Sequence, residues 1–341
     1  MNEKTASTDS RWQVLALLRF FLALIVASSH IVLFTPRGKE PTISLHQLGA
    51  ISAVIAFLVI SGYSIAHSLA RRREGFLRRR ILRIYPLYLL SLLFALLPYY
   101  DGRSVAVGIR TIAERPTALT FVSNVFMLQN VATPPLNSNP PVWTLGVEFF
   151  CYLAAPLLLR IPLFATAGLA IVSATAYASF PWLNQPYYSQ LKYALPLALF
   201  AWAWLAGFLM YRFQKSWVFF TAVIVVGCAA MSVNHVYGNR YSLLTYSASV
   251  LLIYQSPKIP VPRKLRGVLN YLGDLSYPLY LFNIPAYLLF FNVYDMTNPY
   301  RLFVSGMMAS IAFEFLERLA KPMLTRNRKL VPTAPIQNQQ L

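Results

Sequence analysis

Arg71-Arg72-Arg73-Glu74-Gly75-Phe76-Leu77-Arg78-Arg79-Arg80-Ile81-Leu82-Arg83-Ile84-Tyr85-Pro86-Leu87-Tyr88-Leu89-Leu90 decides how this chain must fold. It sets a dense basic cluster between one apolar run at 47–70 and another at 80–98. A basic loop joining two runs of roughly 20 apolar residues marks two membrane spans connected on the cytoplasmic side. The composition extends that reading to the whole chain. Hydrophobic residues make up 57% of the 341, charged residues 12%, and the mean hydropathy is +0.51. A soluble domain carries about 25% charged residues, and its interior could not hide this much apolar surface.

Further apolar segments fall at 13–34, 118–132, 142–160, 162–181, 191–211, 216–233, 241–255, 271–292 and 300–320. The first, from Val14 to Phe34, is too long for a signal-peptide core and lacks a small-residue cleavage site, so it reads as a retained span. The segment 118–132 is short and polar, with Ser123, Asn124, Gln129 and Asn130. Counting it as a crossing would put the chain's two ends on opposite sides. The basic runs Arg71–Arg83, Lys258–Arg266 and Lys321–Lys329 oppose that. The expected fold is therefore an all-α integral membrane protein, a bundle of about ten transmembrane helices with both termini cytoplasmic. Tyr99–Pro141 forms one outside segment with a surface or re-entrant helix.

The net charge is +19. Because the basic residues sit in short clusters between apolar runs, they read as topology signals facing anionic membrane lipids, and no nucleic-acid partner is expected. Cys151 and Cys228 lie inside apolar runs and offer neither a disulfide framework nor a zinc spacing. No metal is expected, and no internal repeat is visible.

Ionisable residues inside spans are costly and point to function. Arg19 and His30 lie eleven residues apart in the first span, which places them on one helix face about 16 Å apart. His30 then sits toward the outer end and Arg19 toward the cytoplasm. A packing histidine and a snorkelling arginine are the plainer alternatives. Glu148 lies six residues into a span that begins outside, near the expected depth of His30. A carboxylate there would orient the imidazole as a general base; a salt bridge to an arginine is the alternative. His67 reads as interfacial, and His46 and His235 fall at loop edges. Arg79, Arg80 and Arg83 stand at i, i+1 and i+4 where a span begins, and guanidinium forks suit phosphate oxygens. A topogenic loop would look the same.

Taken in order, five segments resemble the acyltransferase 3 family of multi-span enzymes. They are Leu18-Arg19-Phe20-Phe21-Leu22-Ala23 leading to His30; Phe57-Leu58-Val59-Ile60-Ser61-Gly62-Tyr63; Arg79 to Tyr88; Trp143 to Tyr152; and Leu275-Ser276-Tyr277-Pro278-Leu279-Tyr280-Leu281-Phe282-Asn283. The resemblance implies a ten-span core, acyl-CoA (acetyl-CoA in the simplest case) as donor, and a carbohydrate or glycolipid hydroxyl as acceptor. It also implies a bacterial inner-membrane location. His30 becomes the expected catalytic histidine, paired with Arg19 and oriented by Glu148. Arg79, Arg80 and Arg83, with Ser61 and Tyr85, are assigned to the donor. The late motif usually ends in histidine, and Asn283 stands there instead, so no acid–base role survives at that position. The expected division is a cytoplasmic segment 1–12, a transmembrane acyltransferase domain 13–322 and a cytoplasmic tail 323–341, without the hydrolase-like domain some relatives carry. A transporter or flippase for a lipid-linked sugar, with Arg19, His30 and Glu148 along its path, is the competing function.

Overall fold

The computed structural model describes residues 10–35, 43–107, 111–180, 188–234 and 240–326. His235, the first nine residues and the tail beyond 326 lie outside these. Among the described residues twelve α-helices make up the body: α1 Arg11–Ile31, α2 Ile43–His46, α3 Ala50–Arg71, α4 Phe76–Phe94, α5 Ala118–Val125, α6 Trp143–Leu158, α7 Leu163–Ser179, α8 Leu195–Arg212, α9 Trp217–Val233, α10 Ser242–Gln255, α11 Arg263–Val293 and α12 Pro299–Arg326. The strands β1 Val105–Val107 and β2 Thr111–Ala113 pair antiparallel. They dock on α11 through Asn292, whose amide both accepts from Ala106 N and donates to Ala106 O.

Among the described residues, five helical segments are long and apolar enough to cross a membrane: Arg11–Phe34, Ala50–Arg71, Phe76–Tyr99, Pro140–Leu158 and Leu195–Arg212. Helices α7 and α9 are apolar but shorter. The protein is thus a helical membrane bundle. Helix α5 has eight residues, about 12 Å of rise, and cannot span a core about 30 Å thick. The polar residues of that region hold loops instead. Asn124 donates to Thr120 O and Pro134 O, Gln129 to Val142 O, and Asn130 to Ser189 O and Leu191 O.

Two helix pairs organise the interior. Helices α1 and α11 run in the same direction. Gln13 Nε2 donates to Asn270 Oδ1 at 3.3 Å, Gly273 faces Ala16, and further along His30 meets Asn283. Helices α3 and α8 cross backbone against backbone. A Cβ on Gly62 would lie 1.9 Å from the carbonyl oxygen of Trp204, and one on Gly207 would lie 1.9 Å from that of Val59. Only glycine permits that approach. The crossing fixes Ser61, next to Gly62, toward α6. Around it Val59, Ile60, Tyr63, Trp204 and Phe208 are all buried in the largest core cluster.

Candidate active site

A cavity of about 180 Å³ opens between these pairs. Helix α1 contributes Arg19, α3 Ser61 and Ser64, α4 Arg80 and Arg83, and α6 Thr144, Glu148 and Tyr152. Helix α11 adds Asp274, Tyr277 and Tyr280, and α12 adds Glu317. Glu148 accepts hydrogen bonds from Ser61 Oγ and from Tyr152 OH on the next turn of its own helix. Above it, Thr144 and Tyr280 join α6 to α11 through their hydroxyls at 2.8 Å.

The arginines are the unusual part. Among the described residues, Arg19, Arg80 and Arg83 form no hydrogen bond and no ion pair within 4.0 Å. Arg19 Nε is buried without a partner, and so is the hydroxyl of Ser64. Buried polar atoms ordinarily find partners, so orphaned donors gathered on one cavity signal a ligand with acceptor oxygens. Among the described residues Glu148 forms no ion pair within 4.0 Å.

Three expectations need correction. Glu148 does not orient His30. The imidazole Nδ1 lies 2.7 Å from Asn283 Oδ1, while Glu148 sits a turn deeper than Thr144, among the arginines. A depth count along the sequence does not fix side-chain partners: Asn283 of α11 occupies the imidazole, and Glu148 is taken by Ser61 of α3 and by Tyr152. Arg79 does not join Arg80 and Arg83. Its guanidinium donates to the carbonyls of Arg72 and Glu74 and closes the loop before α4. Neighbours on a helix point about 100° apart, so only the i, i+3 pair shares the cavity face. Tyr85 donates to Val125 O at 3.0 Å and lines a second, apolar cavity of about 200 Å³, which shares Arg80, Ile84, Leu145 and Tyr152 with the first.

His67 packs edge-on against the rings of Trp12 and Tyr211, as befits a structural histidine. His46 ends α2. Sequence reasoning missed Tyr152 and Asp274 as site residues; Tyr152 left a signal in its i, i+4 spacing from Glu148, and Asp274 left none. Asn283 was visible as the departure from the late motif's usual histidine, but its partner His30 lies 253 residues away.

Comparisons with known proteins place the chain in a family. The profile of a family described as an acyltransferase domain matches residues 13–316. The acyltransferase MdmB of Streptomyces mycarofaciens is 34% identical over 161 residues, 42% of this chain and 38% of that protein. A protein of Acidianus two-tailed virus named as an acetyltransferase, ORF330, is 27% identical over 226 residues, 62% of this chain and 64% of its own. A Komagataeibacter xylinus protein named as a membrane-bound transacylase, BcsY, is 27% identical over 315 residues, 82% and 80% of the two chains. The chain therefore spans less than two thirds of the first two relatives. No solved structure matches it. With the family profile matching residues 13–316 of its 341, this chain belongs to the acyltransferase 3 family.

Proposed function

We propose that this protein is a membrane O-acyltransferase. It moves an acyl group, acetyl in the simplest case, from acyl-CoA to a hydroxyl of a carbohydrate acceptor, such as a surface polysaccharide or its lipid-linked precursor. The observation that carries the reading is the trio of unpaired guanidinium groups on one cavity, with Arg19 Nε orphaned. Planar forks of this kind suit the phosphates of a CoA. Arg80 and Arg83 hold the donor, and Arg19 lies deeper along the same path.

Tyr280 lines the cavity and stands one turn before Asn283, the partner of His30. His30 is the general base. Its imidazole takes the proton of the acceptor hydroxyl, whose oxygen attacks the acyl carbonyl. The new C–O bond forms as the C–S bond breaks, and His30 returns the proton to the departing thiolate. Such general-base assistance contributes about 10²–10⁴-fold. Glu148, held by Ser61 and Tyr152, faces the arginines across the cavity and so sets their spacing.

Purified protein given labelled acetyl-CoA, a longer acyl-CoA series and a lipid-linked oligosaccharide should transfer label to the sugar. Movement of the sugar across a vesicle membrane without any acylation would instead establish the transporter reading. The proposed setting is a bacterial inner membrane, with about ten spans and both ends cytoplasmic. Single cysteines placed near Asp101 and near Asn137, both exposed, should then react with an impermeant thiol reagent from outside.

A further inference from the structure

Asn283 is fully buried on α11. Its amide nitrogen donates to Leu279 O at 2.7 Å and to Tyr280 O at 2.9 Å. The amide nitrogen is therefore turned toward carbonyls of its own helix. A flipped amide would aim its oxygen at those two carbonyl oxygens, acceptor against acceptor. The side-chain oxygen must face the other way, and there it meets His30 Nδ1 at 2.7 Å. An amide oxygen only accepts, so the imidazole nitrogen must donate. A neutral imidazole has one N–H to give.

We infer that Asn283 sets the tautomer of His30, holding the ring proton on Nδ1 and leaving the lone pair on Nε2. The functional half of this inference rests on reading His30 as the base. Among the described residues Nε2 makes no hydrogen bond, and it is not one of the buried unpartnered atoms. The basic nitrogen is thus the accessible one. Asn283 is a positioning residue: it reaches the acceptor only through His30. A carboxylate could fix the same tautomer, but it would put an anion beside the apolar cluster of Ala23, Ala27 and Leu279, where an unpaired charge is costly. Asparagine supplies the acceptor without the charge. The asparagine that stands where the resembled motif ends in histidine thus supplies a hydrogen bond to the base.

The test uses the full chain in lipid nanodiscs with ¹⁵N-labelled histidine. The chain has four histidines, and the His30 signals are assigned by their loss in His30→Gln. At mildly alkaline pH, His30 should show a protonated Nδ1 and an unprotonated Nε2. Asn283→Leu should release the ring into a mixture of tautomers, and Asn283→Asp, which keeps an acceptor there, should restore the single form. In turnover, kcat should fall about 10²-fold in the leucine variant with the donor KM unchanged, and the aspartate variant should recover most of it. A wild-type His30 protonated on Nε2, or an unaltered tautomer in Asn283→Leu, overturns the inference. The wild-type spectrum decides this even if the leucine variant does not fold. A shifted tautomer with unimpaired kcat upholds the assignment and overturns His30 as the base.

Discussion

Arg19 and His30 share one helix and one face, yet their surroundings are opposites. Arg19 opens onto a cavity with Arg80, Arg83, Asp274 and Glu148, and its Nε has no partner. His30 stands three turns on beside a buried neutral amide, with its Nδ1 satisfied. The first environment is charged and incomplete; the second is nearly apolar and settled. An anion-binding wall gains by holding donors in reserve for a ligand. A base gains by having its proton, ring plane and lone pair fixed before the substrate arrives. Under the proposed function the two ends divide the work into holding and reacting.

The sharpest way to break that division is at the reacting end. His30→Ala should lower kcat by about 10²–10⁴-fold while leaving the donor KM and membrane insertion near normal. Near-normal turnover would remove His30 from the chemistry. At the holding end, Arg80→Lys and Arg83→Lys keep the charge but lose the fork. Each should raise the apparent KM for acetyl-CoA, by about 1–3 kcal/mol per lost charge-assisted contact, with little effect on acceptor KM. Equal effects on both substrates would mean that the arginines do not belong to the donor. Ser61→Ala leaves Glu148 with Tyr152 alone. The expected loss is about 1 kcal/mol in kcat/KM, read in the same assay. Arg79→Lys should change donor affinity by less than about 0.5 kcal/mol, because its guanidinium closes a loop. A KM shift there as large as at Arg83 would erase the distinction drawn within the cluster.

Most of the bundle was legible in the chain because apolar runs and helices coincide wherever lipid or core surrounds them. The runs 47–70, 162–181, 216–233 and 241–255 match α3, α7, α9 and α10 within a few residues. The ends of α4 and α11 were not legible. Both helices start in basic sequence, Phe76 and Arg263, where hydropathy falls though arginine and lysine remain good helix formers. Within the site, Arg19, Arg80, Arg83 and Glu148 could be picked out because each is an expensive residue in a span or beside one, and Ser61 because it stands in a motif that the resemblance covers. Their partnerships could not. Glu148 with Ser61 joins positions 87 residues apart, and His30 with Asn283 joins positions 253 apart. No local spacing encodes such pairings, and a depth count presumes that every span starts at one plane.

The backbone contact of Gly62 with Gly207's helix has a consequence for motion. Two helices that interlock without side chains between them have no soft layer on which to slide, so α3 and α8 travel as one slab and Ser61 rides with it. Any breathing that admits a bulky donor must then come from the opposite wall. That wall holds α4, whose Gly75 entry adopts a left-handed φ of +60°, and α11, where Pro278 and Pro285 each remove a backbone donor from the helix. One side of the cavity is a fixed jaw, and the other carries the joints.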